Sequence, residues 1–567
     1  MTIDRRRRFM LVDPCLQGPG SHPYHYAVEV LAAAARAGCE CRVVAHRNFA
    51  DGTLAGVWPV RSAFSNTAYS KYTVAGQLDR LDPRGRAGWL PRPPWEARHA
   101  ARRREERIAA FARELAPALA DLRPGDAVLL ATASELEIAG LARAAAAVRP
   151  AADVGWHALV HFPCYRGFTA DLDRQDRRLA WARSLLGAAV AALPGLRLHA
   201  TTEEIAAQHA RLAGIPVGVL AYPVQCVEPV RRGVGGVANG SLRVSCLGDA
   251  RPEKGTLAVP GIVAAAQADP RLAGLRFTVQ TNLGFDDRSR AREHMAIRRG
   301  LDALRRRAAA GEPIDLLPGP LDAAAYADAL AATDIMLLPY DQERYRARCS
   351  GIVLESLATG AVPIVTGGGW MARQLAEPLR RHAAAVTARA SVLNERRIDR
   401  PRLGAGRPLT IELPVASGRG PVPAGRELIA VEIEWRPGTS FVEPPVRVAI
   451  DGAGAPPATV LAADGTGLAT TALFPVADAG ADSRRVACLQ PAAGSSAVAS
   501  LVVRRLDVAG PVPAGAVGAV IAAPGDAVAA LRELVRHFSH YRETAIRQAA
   551  AVRQAASGDA VLRRLLP

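Results

Sequence analysis

Two short stretches carry residue types suited to holding a phosphate-bearing ligand. The first is Gly248, Asp249, Arg251, Glu253, Lys254 and Gly255, where an apolar, strand-like run gives way to helix-like sequence. Free backbone N–H groups at such a handover face an anion. Arg251 and Lys254 are three apart, so one helical turn places both on one side, an arrangement suited to a diphosphate. The competing reading is a solvated surface turn. The second stretch is Pro339, Tyr340, Tyr345, Arg348, Ser350, Gly351 and Glu355, again at a strand-to-helix handover. Ser350 is of N-cap type, and Gly351 lets a ligand approach the backbone, with Ile352 following it. Glu355 falls one turn into the helix, where a carboxylate can accept from two vicinal hydroxyls such as those of ribose. The competing reading is a carboxylate that only complements the helix dipole.

These stretches need elements to position them. FMLVDP (9–14), a turn-rich loop (15–26), AVEVLAAAARAG (27–38) and CECRVVAH (39–46) read as strand, loop, helix and strand, a βαβ unit. Residues 50–100 read as loop-rich. The alternation resumes with strands at 126–132, 156–162, 196–202 and 217–224, separated by helices at 103–122, 135–148, 174–193 and 203–214. A second series runs from LRVSCLGDARPEKG (242–255) to AVPIVTGGG (361–369), with strands at 276–283 and 334–341 and a helix at 351–360. Repeated alternation argues parallel sheets covered by helices, and two such halves leave a cleft. From about 390 to 512 the period shortens: PLTIELPV, ELIAVEIEW, VRVAIDG, ATTALFPV, RRVACLQ and AVASLVVRRLDV, punctuated by Gly and Pro. That is the pattern of a β-sandwich. Strand and helix return at 517–524 and 526–538, followed by a basic helical stretch over 541–566. The expected units are 1–225, 226–384, an all-β insertion over 385–514, and 515–567 completing the second α/β unit.

The chain has 567 residues, 49 % of them hydrophobic, enough for about three to five domains without staples. A net charge of +17 can attract nucleic acid, anionic lipid or an anionic substrate. The basic runs at 5–8 and 102–104 are not interleaved with aromatics, and no zinc-finger spacing is present, so no nucleic-acid partner is expected. Peripheral contact with an anionic membrane stays open. The eight cysteines are scattered, which suits buried thiols in a reducing compartment. The basic start holds an apolar run too short for a signal peptide, and no apolar stretch reaches 18 residues, so a cytoplasmic protein is expected, with contact to the inner membrane face as the open alternative.

The paired stretches in this order resemble the family-4 retaining glycosyltransferases, which have the GT-B fold. LLPYDQERYRARCSGIVLESLATGAVPIVTGGG is similar to that family's donor-site signature and CLGDARPEKG to its Arg/Lys loop. DPCLQGPGSHPYHYAVEVLAAAARAG is similar to its acceptor-side loop and first helix. PGPLDAAAYADALAATDIMLLPY matches the segment between the donor motifs. The likeness covers most of 8–375 and returns at 515–560. It implies two Rossmann-like domains facing across a cleft, and transfer of a hexose from a nucleotide-diphosphate sugar, with retention, to a glycan, lipid-linked or other hydroxyl acceptor, as in polysaccharide biosynthesis. By the same resemblance Gly248, Arg251 and Lys254 hold the diphosphate. The 350–352 backbone lies beside the distal phosphate and sugar, Glu355 binds ribose, and the loop around Leu317 and Pro318 flanks the base; Tyr340, from the second stretch, is counted with the nucleotide-binding residues. His161, His22 and His25 are the candidates for the histidine near the transferring sugar, against the commoner fate of a lone histidine as a structural residue. One departure stands out: the first glutamate of the family's pair falls at Ala347.

A leaving nucleotide diphosphate can be stabilised by helix N-termini, Arg251 and Lys254. No DxD-like motif falls in a plausible loop and no His/Asp ligand cluster is visible, so no metal and no cofactor is expected, the nucleotide sugar being substrate. The inserted domain is read as a binder of carbohydrate or protein. The main alternative is an inactive GT-B-fold carbohydrate-binding or scaffold protein, motivated by Ala347. An epimerase or phosphorylase of the same fold is the other.

Overall fold

The computed structural model describes residues 6–19, 22–78, 94–149, 153–165, 172–224, 241–404, 407–414, 422, 426–436, 446–451, 458–460, 470–476, 485–491, 498–508 and 517–566. The N-terminal domain is built on seven parallel strands: β1 (Arg8–Asp13), β2 (Glu40–His46), β3 (Val60–Phe64), β4 (Ala127–Ala133), β5 (Gly155–Val160), β6 (Leu196–Ala200) and β7 (Val217–Val219). Their order is β3-β2-β1-β4-β5-β6-β7. β1 and β4 are buried at every position, as expected of strands covered by helices on both faces. β3 is an edge strand within the stretch read as loop; its five residues are too few for the period to declare itself.

The second domain holds β8 (Leu242–Cys246), β9 (Leu275–Gln280), β10 (Ile314–Leu317), β11 (Ile335–Leu338) and β12 (Val362–Thr366). Its sixth strand, β21 (Ala519–Ile521), arrives after the insertion and pairs in parallel with β12. The order β10-β9-β8-β11-β12-β21 reverses between β8 and β11, so the loops after those strands flank a switch-point crevice. Both candidate donor stretches are these loops. Two long helices of this domain are among those not read from the sequence. Arg292–Ala309 buries only a thin stripe, Ile297, Leu301 and Leu304. Trp370–Thr387 contains Pro378, which reads as a breaker; the helix runs through the 384/385 junction. The 225/226 and 514/515 junctions lie outside the described residues.

Between Thr387 and β21 stand two four-stranded antiparallel sheets. One is ordered β13-β20-β15-β18 and the other β14-β19-β16-β17. They comprise β13 (Ala390–Asp399), β14 (Leu409–Leu413), β15 (Glu427–Trp435), β16 (Val446–Asp451), β17 (Ala458–Val460), β18 (Thr470–Pro475), β19 (Arg485–Pro491) and β20 (Val498–Val508). Alternate residues of both sheets meet in one core with Trp435 and Phe474 at 1 % exposure. Those rings therefore offer no stacking face to a sugar.

The last helix, Gly558–Leu565, crosses back to the first domain. Val561, Leu562 and Leu565 join the core of β1, β2 and the first helix, and Arg36 pairs with Asp559 at 2.9 Å. The result is two Rossmann-like domains facing across a cleft, the GT-B layout, with an all-β insertion in the second. The seven described cysteines are free thiols; Cys226 lies outside the described residues. No helix among the described residues is long and apolar enough to cross a membrane.

Candidate functional site

The first helix begins at His22, five residues earlier than its apolar pattern suggests. Pro23 is tolerated in a first turn because its missing N–H has no helical partner there. His22 and His25 therefore sit on the helix rather than in the preceding loop. That helix end faces Gly351 of the opposite domain. From the point where a Cβ on Gly351 would stand, Tyr222 Cε1 lies at 3.4 Å, His22 Cε1 at 3.7 Å and Glu355 Oε1 at 3.9 Å. Residues from both halves thus converge on one backbone position.

On the phosphate side, Gly248 adopts φ +97°. A Cβ there would stand 2.7 Å from Lys254 Nζ and 2.8 Å from Ile352 Cδ1, so only glycine admits both. Lys254 is carried on a 3-10 turn, Pro252–Lys254, and the α-helix proper starts at Val259. The expected helical turn is thus a 3-10 turn, which still eclipses positions three apart. Among the described residues the Lys254 ammonium has no hydrogen-bond or ion-pair partner. Burial lowers its pKa, with the Asp249 charge opposing. Arg251 differs: its Nη2 donates to Asp249 Oδ2 at 2.6 Å. Asn282 Nδ2 donates to the other Asp249 oxygen, also at 2.6 Å. Burial works against the Asp249 carboxylate, but Lys254, Asn282 and Arg251 outweigh it and hold its pKa below the usual range.

Ser350 occupies the N-cap position of the helix Gly351–Ala358, yet its hydroxyl caps no N–H of that helix, contrary to its residue type. Glu355 lies one turn in, and the Tyr326 hydroxyl donates to its Oε2. One of the two carboxylate oxygens expected to serve a ribose is therefore already engaged. Burial pushes the Glu355 carboxyl up, against the Tyr326 bond and the Lys254 charge. Leu317 ends β10 with its carbonyl accepting Thr281 N–H at 2.9 Å. Its side chain packs with Tyr326 and Tyr222 against the core under the site. Pro318 beside it is exposed. Tyr340 does not face the cleft. Its ring is 2 % exposed and packs edge-on against Tyr345 at 4.5 Å. A ring directly after a strand buried on both faces is drawn into the same core.

His161 follows β5 by one residue. Its Nε2 lies 2.7 Å from the Ala131 carbonyl, so Nε2 is assigned the proton and Nδ1 is left as an acceptor. Its ring meets Tyr26 and Tyr222 edge-on at 6.2 and 6.3 Å. Burial lowers its pKa. His22 opens onto the cleft. Crowding there and the Lys254 and His25 charges push its pKa down to about 4, so it is neutral at pH 7. His25, one turn on, packs edge-on against Tyr24 at 5.8 Å and is not among the atoms nearest Gly351. Asp13, at the end of β1, accepts from Cys15 N–H at 2.7 Å and Thr132 Oγ1 at 2.9 Å; burial raises it to about 6.

The structure thus joins His22, Gly248, Lys254, Gly351, Ile352 and Glu355 with Tyr222 and Tyr326, which the sequence did not point to. Tyr222 lies in a short segment after β7 without pattern, and Tyr326 reads as one face of an alanine-rich helix. Ala347, where a carboxylate was expected, is 4 % exposed and packs into the N-terminal core. Among the described residues no group of three or more His, Cys, Asp or Glu could hold a metal ion.

No protein-family model matches the chain, and no curated sequence does. Solved structures do. The N-terminal domain of trehalose-6-phosphate phosphatase from Candida albicans is 10 % identical, with 67 % of this chain and 86 % of that chain covered and a TM-score of 0.45. Sucrose-phosphate synthase from Thermosynechococcus elongatus is 13 % identical, with 66 % and 84 % covered and a TM-score of 0.40. A UDP-forming trehalose-phosphate synthase from Burkholderia xenovorans is 12 % identical, with 65 % and 86 % covered and a TM-score of 0.42. Nothing among them singles out the family-4 group that the motifs resemble.

Proposed function

We propose that this protein is a retaining glycosyltransferase that moves a sugar, most simply a hexose, from a nucleotide-diphosphate sugar to a hydroxyl acceptor on a glycan or lipid-linked molecule. The observation that carries the proposal is the convergence at Gly351. The helix N-terminus stands there with Glu355 one turn beyond and a neutral histidine of the other domain opposite, and the Lys254 ammonium, without a partner among the described residues, stands over Gly248 beside Ile352, the next residue. A diphosphate placed against Gly248 and Gly351 meets backbone N–H groups and the Lys254 charge, which stabilise the leaving group as negative charge develops. A turn of helix rises ~5.4 Å, a reasonable step from distal phosphate to ribose, where Glu355 Oε1 is still open. His22 and His161 supply neutral imidazoles on the acceptor side. Asp13 is committed to the backbone and Thr132, so transfer on the face of the departing diphosphate is the simpler route to retention. The chemistry as drawn calls on no metal.

The rival reading, a GT-B-fold protein that binds carbohydrate without transferring it, rests on Ala347. Nucleotide-sugar turnover separates the two. Purified protein with a panel of nucleotide sugars and hydroxyl acceptors should release the nucleoside diphosphate and form a glycosylated product by mass. Binding without release or product would favour the rival.

A further inference from the structure

The loop that leads into the donor helix is fastened to the opposite domain. Thr202 caps the helix Glu203–Ala213, its hydroxyl accepting Ile205 N–H at 3.1 Å. The same hydroxyl donates across the domain boundary to the Ala347 carbonyl at 2.8 Å. Two residues on, Glu204, almost fully buried, meets Arg373 Nε at 3.0 Å, and Glu203 meets the same guanidinium at 3.4 Å. Arg373 stands on the helix Trp370–Thr387, whose first N–H donates to the Arg346 carbonyl at 2.7 Å. A Cβ on Gly369 would lie 2.8 Å from Arg346 Cα, so the two segments touch backbone to backbone. Arg348, on the same loop, lies 5.9 Å over the Phe162 ring of the N-terminal domain. Contacts at three consecutive residues therefore hold 346–348, and Ser350 and Gly351 follow at once.

We propose that Thr202, Glu204 and Arg373 are positioning residues that clasp the 346–349 loop to the N-terminal domain, so that the phosphate-facing helix end is held in register with His22 only while the domains are docked. The proposal rests on the donor-site reading above. It also accounts for Ala347: that position is packed into the neighbouring domain, where a longer acidic side chain would pry the clasp apart.

The test uses the full chain with Thr202→Val, Thr202→Ser and Arg373→Met, titrated with UDP, GDP and ADP, alongside small-angle scattering of the free proteins. Thr202→Val and Arg373→Met should each weaken nucleotide affinity five- to tenfold and enlarge the radius of gyration. Thr202→Ser should restore wild-type behaviour. The double variant should be little worse than either single one, because both open one clasp. Thr202→Val also loses a helix cap, so Arg373→Met is the independent arm. Wild-type affinity and unchanged scattering in folded Arg373→Met would overturn the clasp. If wild type binds none of the three nucleotides, the donor reading fails instead, and unchanged scattering in both variants then overturns the clasp separately.

Discussion

Replacing Lys254 by Met should weaken nucleoside-diphosphate binding more than replacing Arg251 by Ala. The ordering comes from partners. The nearest carboxylate, Asp249, is already held by Arg251 and Asn282 at 2.6 Å each. Lys254 Nζ, pressed over Gly248 beside Ile352, has no such bond among the described residues. A diphosphate would give it the charged partner it lacks. Hydrogen bonds to charged groups contribute about 1.5–3 kcal/mol, so Lys254→Met should cost roughly ten- to a hundredfold in affinity. Arg251 must share its guanidinium with Asp249, so Arg251→Ala should cost less, about three- to tenfold on the same scale. Methionine keeps most of the lysine stem, and packing against Ile352 survives. Removing a poorly solvated charge should leave the melting temperature equal or higher. Isothermal titration and a thermal melt of both variants read this out. Wild-type affinity in a folded Lys254→Met protein would refute the reasoning.

Two further outcomes are expected. Wild type should prefer a ribonucleoside diphosphate over its 2′-deoxy analogue, and Glu355→Gln should largely lose that preference, by about tenfold for one charged hydrogen bond; equal preference in both, measured by competition, would leave Glu355 a structural residue. The buried pair His157 and His199, with Nδ1 and Nε2 3.0 Å apart, has pKa values pushed down to about 3 and about 4 by burial. Both lie below the unfolded value, so their stability contribution is complete above about pH 6.5 and is lost as pH falls toward those values; between pH 6.5 and 5 each costs on the order of 2 kcal/mol. Buried Asp13, Glu135 and Glu204, raised to about 6, 7 and 7, run the other way. Urea unfolding of wild type and His199→Gln at both pH values cancels them, and an unchanged acid loss in the variant would contradict the neutral pair.

The parallel-sheet halves were legible because strands such as β1 and β4 are buried throughout and their helices carry wide apolar faces. The helix Arg292–Ala309 was not, since its buried stripe is three residues among arginines. The two candidate loops could be located because Gly248, Lys254, Gly351 and Glu355 keep residue type and spacing together at strand ends. What spacing does not reveal is who else claims a side chain: Asp249 on Arg251, Tyr326 on Glu355, the core on Tyr340. Ala347 reads in sequence as a missing carboxylate, whereas in the fold its carbonyl is bound by Thr202, 145 residues away. Such long-range contacts leave no local period.

The central claim is that the cleft at Gly351 holds a nucleotide-diphosphate sugar without a metal. Calorimetric titration of wild type and Lys254→Met, in EDTA, with UDP-, GDP-, ADP- and dTDP-linked sugars tests it directly. At least one donor should bind wild type saturably, be displaced by its own nucleoside diphosphate, and bind Lys254→Met at least tenfold more weakly, the low end for one charged contact. Folded wild-type protein that binds none of them, or binds only when magnesium or manganese is restored, would contradict the account.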